Sequence, residues 1–362
     1  DTAPGLHKGI ATIRPANAPP IEVALEIEVT REPVGDSGDA ELWRMARLRW
    51  LDSTIGLDDD VVAPFTPLVL KDRTVACLGR EVRFGALGWP ESIRSNEREL
   101  LASPVAFVAE TADGIVPWEA DSVSISKEAP GVVEWDACGK SAPLGVRTRA
   151  RMEFDGYINF RVTVSANEKT EIKDLRLELP IRADAAAYIM GMGRKGGLRP
   201  AEWDWTWDAS RANNSLWIGG VDAGLQCKLK DNDDAWDLYR FANGLPSSWS
   251  NDGHGGCRVH ENGPDQVLIQ AFSGSRTLSA GQELTFSFGL LITPVKPLDP
   301  GHWNWRYQHQ YVPLNDLKTM PGNIINLHHG TEPNPYINYP FRKTPLLRAY
   351  TKAAHDAGKK VK

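Results

Sequence analysis

Alternation of apolar and polar residues recurs from the start of this chain to about residue 295, and it restricts the fold more than any other feature. Ile21-Glu-Val-Ala-Leu-Glu-Ile-Glu-Val29, Val82-Arg-Phe84, Tyr157-Ile-Asn-Phe-Arg-Val-Thr-Val164, Leu175-Arg-Leu-Glu-Leu179 and Leu284-Thr-Phe-Ser-Phe288 all show it. A period of two turns one face to a core and the other to water, the mark of antiparallel sheets. Turn-forming pairs separate the runs at Asp113-Gly114, Asp155-Gly156, Asn243-Gly244 and Asn262-Gly263. No convincing helical pattern longer than two turns interrupts them. The expected fold is mainly β: an antiparallel β-sandwich over residues 70–297, preceded by a smaller β unit over 1–69.

Beyond Pro294 the pattern changes. Pro294, Pro297 and Pro300 punctuate an extended connector, because proline fixes φ and donates nothing to a ladder. The run Asn323-Ile-Ile-Asn-Leu327 reads as a short strand, followed by a polar loop from His328 to Lys343. A helix follows, with Thr344 as N-cap, Pro345 in the first turn and Gly358 as its stop. Its apolar face carries Leu346, Leu347, Tyr350, Ala353, Ala354 and Ala357, and Lys359-Lys-Val-Lys362 begins another strand. Strand, loop, helix and strand make the βαβ unit of a (β/α)8 barrel. One such unit cannot bury both faces of its strand. Residues 298–362 are therefore expected to be a linker plus the first βα unit of a truncated barrel domain, with the remainder of the same polypeptide as its partner.

Composition narrows the function classes. The 41 Lys and Arg against 47 Asp and Glu give a net charge of −6 without long runs, which excludes a nucleic-acid surface. Apolar stretches are short, as in Leu290-Leu-Ile292, so no membrane span is expected. Cys77, Cys138, Cys227 and Cys257 form no CxxC pair, leaving buried thiols or disulfides as the alternatives. The chain starts at Asp1 with no signal peptide; a trimmed leader is expected, and with it a secreted or periplasmic location.

Several constellations are candidates for chemistry. Trp203-Asp-Trp-Thr-Trp-Asp208 places Trp203, Trp205 and Trp207 on one face of a strand and Asp204 on the other. Stacked indoles suit sugar rings, and equally the space between two sheets. His302-Trp-Asn-Trp-Arg-Tyr-Gln-His-Gln-Tyr311 is an aromatic belt suited to domain docking, with Trp305 and Arg306 as substrate-side candidates. The loop carrying His328, His329, Glu332, Asn334 and Tyr336 follows the carboxyl end of the 323–327 strand, where barrel active sites assemble. Glu332 is the candidate acid or base there, although glycoside chemistry needs a second carboxylate opposite. Gly191-Met-Gly-Arg-Lys-Gly196 fits GxGxxG but lies among strands without a following helix, so it reads as a glycine-rich loop. His254 and His260 flank Cys257 with no fourth ligand nearby, and no metal is expected. Asp231-Asn-Asp-Asp234 reads as a solvated turn, with calcium as its one cofactor alternative.

Gly79-Arg-Glu-Val-Arg-Phe84 with Gly88-Trp-Pro-Glu-Ser-Ile93, Leu216-Trp-Ile-Gly-Gly-Val-Asp-Ala-Gly-Leu225 before Trp236, and Phe288-Gly-Leu-Leu-Ile-Thr-Pro-Val-Lys-Pro297 occur in that order. Together they resemble bacterial glycoside-hydrolase-like proteins related to glycoside hydrolase family 123, over residues 70–362. The resemblance implies a supersandwich-type β-sandwich followed by a (β/α)8 barrel, and action on glycans outside the cytoplasm. Family 123 enzymes are N-acetyl-β-galactosaminidases that use an adjacent Asp-Glu pair with the substrate's acetamido group as nucleophile. This chain has no such pair in a barrel context; Asp39-Ala-Glu41 and Pro200-Ala-Glu202 lie elsewhere.

The sequence thus reads as the N-terminal part of a secreted glycoside hydrolase acting on polysaccharide or other glycans by acid/base cleavage, its main carboxylates lying beyond residue 362. The alternative is a non-catalytic, tryptophan-rich carbohydrate-binding or structural β-sandwich module. A polysaccharide lyase has only Arg306-Tyr307 in its favour.

Overall fold

The computed structural model describes residues 2–208, 214–230, 245–297 and 299–362. The chain divides into two compact units, one formed by Gly56–Asp299 and the other by Asp1–Ile55 with Pro300–Lys362. The acidic turn Asp231–Asp234, Trp236 and the Asn243-Gly244 pair lie outside the described residues.

Gly56–Asp299 is an antiparallel β-sandwich. Its nine-stranded sheet centres on Glu283–Thr293, which pairs with Tyr157–Ala166 on one side and Gly224–Lys230 on the other. A seven-stranded sheet is built on Thr170–Arg182, paired with Gln266–Phe272 and Ala106–Thr111; Glu202–Thr206 is its edge strand, beside Gly256–Glu261. A five-stranded meander runs from Val69–Lys71 to Arg98–Glu99. Alternation explains the layering: Ile158, Phe160, Val162 and Val164 are buried while the residues between them are more exposed or hold the ladder.

Aromatic rings fill the space between these sheets. Phe84 stacks on Trp135 at 4.4 Å, Trp135 meets Phe160 edge-on at 6.1 Å, and Phe160 stacks on Phe288 at 4.9 Å. Trp249 then links Phe288, Phe286 and Phe107. The two indoles in this run satisfy their N–H: Trp135 Nε1 donates to the Gly88 carbonyl and Trp249 Nε1 to the Ser287 carbonyl, each at 2.9 Å. Gly88 has φ +79°, and a Cβ there would lie 3.1 Å from the Ala137 methyl, so the Gly88-Trp89 step has a packing reason. The Gly79-Arg80 step has one too: the buried Arg80 guanidinium donates to the Asp155 carbonyl and secures the Asp155–Gly156 turn.

The GxGxxG segment is a hairpin between Tyr188–Gly191 and Arg194–Leu198, turning at Met192 (φ 44°) and Gly193 (φ 84°). A Cβ on Gly191 would lie 2.1 Å from the Ser215 carbonyl oxygen. Strand geometry also separates the His254, Cys257 and His260 set. Cys257 faces the core, whereas His260 is three residues on and faces the other way. Among the described residues no cluster of ligands suits a metal ion.

In the second unit, Gly5–Ile13 and Ile21–Val29 form a two-stranded hairpin with Ile13, Ile21, Val23, Leu25 and Ile27 exposed on one face. Short 3-10 turns over Gly35–Arg44 and Leu48–Trp50 follow, pinned where Arg49 reaches Asp36 and Asp39. The carboxyl-terminal part has three parallel strands, Tyr307–Gln308, Ile324–Ile325 and Lys360–Val361. The helix Thr344–Asp356 connects the last two, and Gly358 (φ +72°) ends it. Thr344 does not cap it. Thr344 is already helical (φ −49°), and its hydroxyl donates to the Phe341 carbonyl at 2.8 Å because a 3-10 turn over Pro340–Lys343 leads straight in. The aromatic belt also differs from the sequence reading: only Tyr307–Gln308 is strand, and Trp303 sits in a 3-10 turn. Tyr350 anchors a small core of Val312, Leu317, Met320, Ile325, Leu327 and Ala354, and its hydroxyl donates to the Val312 carbonyl at 2.6 Å. No described helix is long and apolar enough to cross a membrane.

All four cysteines are free thiols. Burial pushes Cys77 up to about 11 and Cys227 up to about 12, and raises Cys257 as well. Folded thiols therefore hold their protons more tightly than unfolded ones. Their contribution to stability is complete below the ordinary value of 9.0 and is lost as pH rises through 9.0 towards 12. Denaturant titrations from pH 8 to 11 are expected to show this decline, and Ellman's reagent at pH 8 should reach no thiol except the half-buried Cys138 until the chain is unfolded. Tyr350→Phe leaves the Val312 carbonyl without its donor and is expected to cost about 1–3 kcal/mol, measured as a shift in the urea midpoint.

Candidate functional site

Parallel strands deliver their carboxyl ends to one side, and here that side collects imidazoles and amides. His309 follows Tyr307–Gln308, while Asn326, Leu327 and His328 follow Ile324–Ile325. The ladder holds them in place: Asn326 N–H donates to the Gln308 carbonyl at 3.0 Å, and Leu327 N–H to the Lys362 carbonyl at 2.9 Å. Asn326 Nδ2 then donates to His309 Nδ1 at 3.3 Å. The His309 and His328 rings lie 5.7 Å apart, and His328 and His329 only 4.0 Å.

The loop that follows is folded back on the strand end. Asn334 Nδ2 donates to the Leu327 carbonyl at 2.8 Å, and Thr331 Oγ1 to the His328 carbonyl at 3.0 Å. Gly330 (φ +82°) makes the reversal without strain. Asn334 Oδ1 is buried and has no hydrogen-bond partner among the described residues, an acceptor held beside the cluster. Tyr336 lies under the Arg342 guanidinium at 4.9 Å, and Glu332 is exposed. The group is rich in donors and acceptors that suit hydroxyls, and Glu332 is its one carboxylate between residues 328 and 339.

Of the residues singled out by sequence, His328, His329 and Asn334 come together, with Glu332 between His329 and Asn334 and Tyr336 further along the same loop. Trp305 and Arg306 precede their strand and so lie at the amino ends of the parallel strands, the opposite end from the histidines. Lys360 Nζ sits 4.3 Å over the Trp305 ring. Arg306 is occupied with backbone, donating to the Trp303 and Trp305 carbonyls at 2.8 and 3.0 Å. Trp203, Trp205 and Trp207 belong to the sandwich unit, where all three pack half-buried against its core; Trp205 and Trp207 meet edge-on at 4.8 Å. Asp204 faces the opposite side and accepts from Arg258 Nε at 2.8 Å. Sequence reasoning missed Asn326 as a site residue and placed His309 in the docking belt. The available signal was a polar residue directly after each short apolar or aromatic strand.

Residues 68–294 match the family described as glycoside hydrolase 123, third domain, and residues 299–362 match glycoside hydrolase 123, TIM-barrel domain. Comparison with curated proteins gives no match. Among solved structures, the alpha-N-acetylgalactosaminidase NagBb of Bifidobacterium bifidum is 12% identical with a TM-score of 0.40, over 80% of this chain and 58% of that one. A galactose mutarotase related enzyme of Lactobacillus acidophilus is 7% identical with a TM-score of 0.37, over 64% of this chain and 98% of its own. Scores of that size assign no activity. The two family matches follow one another along the chain in the order sandwich then barrel, and the chain belongs to the glycoside hydrolase 123 family.

Proposed function

We propose that this chain is part of a secreted or periplasmic glycoside hydrolase, and that the carboxyl ends of its three parallel strands form one side of the glycan-binding mouth. The observation that carries this reading is the convergence of His309, Asn326, His328 and His329 at those ends, beside the buried acceptor Asn334 Oδ1. Imidazoles and amides both donate to and accept from hydroxyls, which suits a sugar's ring of hydroxyl groups.

Glycosidic cleavage needs one carboxylic acid to protonate the leaving oxygen and a second group to attack or to activate water on the other side. In this reading Glu332 is the only carboxylate that the loop contributes, and its partner comes from the rest of the barrel in the same polypeptide. Three strands do not close a barrel. The histidines and amides therefore position substrate, and the proton transfers belong to carboxyl groups.

The test uses the full-length parent with a panel of aryl glycosides and natural polysaccharides. Turnover is expected on at least one substrate, and complete inactivity across both sets would sink the proposal. His328→Ala and Asn326→Ala are each expected to lower kcat/KM about 10–100-fold, chiefly through KM, as loss of one or two hydrogen bonds to substrate requires. Unchanged kcat/KM in both variants would remove the strand ends from the site. Glu332→Gln separates the roles: loss of kcat with KM retained marks an acid or base, while a change in KM alone marks a binding residue.

A further inference from the structure

We propose that the outer face of the seven-stranded sheet carries a separate binding site for neutral sugars. This proposal does not rest on the barrel reading. A depression of about 410 Å³ lies there, within the roughly 300–1,000 Å³ of small-molecule sites. Glu202, Asp204, Arg258, His260 and Gln270 line it. The register explains why they share it: Glu202 stands opposite His260, Asp204 opposite Arg258, Arg258 opposite Gln270, and Gln270 opposite Glu178. With neighbouring strands about 4.8 Å apart, the row from Asp204 to Glu178 crosses four strands in roughly 14 Å.

The row is held in shape and still has hydrogen-bonding capacity to spare. Arg258 Nε donates to Asp204 at 2.8 Å, and its terminal nitrogens have no partner among the described residues. Gln270 Nε2 donates to Glu178 at 2.9 Å, which leaves its carbonyl oxygen as an acceptor. Glu178 is itself gripped by Arg176 at 2.7 Å. His260 Nδ1 is buried and has no hydrogen-bond partner among the described residues, at a cost in free energy. Donors and acceptors thus alternate across a shallow polar floor, the pattern that hydroxyls satisfy because each one both donates and accepts.

Charge selects among sugars. Carboxylates outnumber guanidinium groups here, since Arg176 is shared by Glu178, Glu110 and Asp174, and Arg258 is paired with Asp204. A uronate or sialate would meet repulsion, whereas a neutral hexose or N-acetylhexosamine would not.

The experiment is an NMR titration of the 362-residue chain with glucose, galactose, N-acetylglucosamine and glucuronate, observing histidine and tryptophan resonances. At least one neutral sugar is expected to shift His260 saturably, while glucuronate leaves it in place. His260→Ala and Gln270→Ala are each expected to weaken that binding at least about tenfold, and His328→Ala to leave it unchanged. Because the titration reads His260 in the unmodified chain, a variant that fails to fold does not stall the test. No saturable shift of His260 with any neutral sugar would overturn the proposal. So would equal binding of glucuronate, or shifts confined to His309, His328 and His329; that last result would leave the barrel reading standing.

Discussion

One continuous run of aromatic rings holds the sandwich together. From Phe84 in the five-stranded meander it passes through Trp135, Phe160 and Phe288 in the nine-stranded sheet to Trp249, and on through Phe286 to Phe107 in the seven-stranded sheet. Rings of this size bridge sheets about 10 Å apart, which aliphatic side chains do less completely. Trp135 and Trp249 also need hydrogen-bond acceptors for their indole N–H, and the Gly88 and Ser287 carbonyls supply them. The packing thereby fixes backbone positions as well as filling volume. Two of the chain's 13 tryptophans, Trp135 and Trp249, are accounted for here, in packing.

This core sets up the outer sheet face on which the neutral-sugar site is proposed. Trp203 and Trp205 turn inwards against the core, so period two turns Glu202 and Asp204 outwards. The same rule sends Cys257 inwards and leaves His260 outside with Arg258. A binding face and a core face are consequences of one alternation, read on opposite sides of the strands.

The parallel strands work differently. Two-residue strands present little face, and what matters is which residues follow them. Ladder bonds from Asn326 to Gln308 and from Leu327 to Lys362 bring residues 17 or more positions apart to one end. That the loop of His328, His329 and Asn334 follows a strand is legible in the sequence, because the Ile324–Ile325 run is visible. His309 was placed differently because Tyr307–Gln308 is too short to announce itself as strand inside a run of aromatic residues. Trp305 and Arg306 could not be sorted to the opposite end until the strand's direction was known.

Apolar alternation, the change to βα order after Pro294, a helix beginning at Pro345 and stopped by Gly358, and the family resemblance are all readable in the order of residues. These are local properties, carried by residue spacing and by the φ preferences of proline and glycine. Which face of Trp203–Trp207 meets a core, that the four cysteines are free thiols, and which imidazoles and amides share a strand end emerge once the chain is folded. A period of two says which residues share a face, but strand pairing and layer packing say what that face touches.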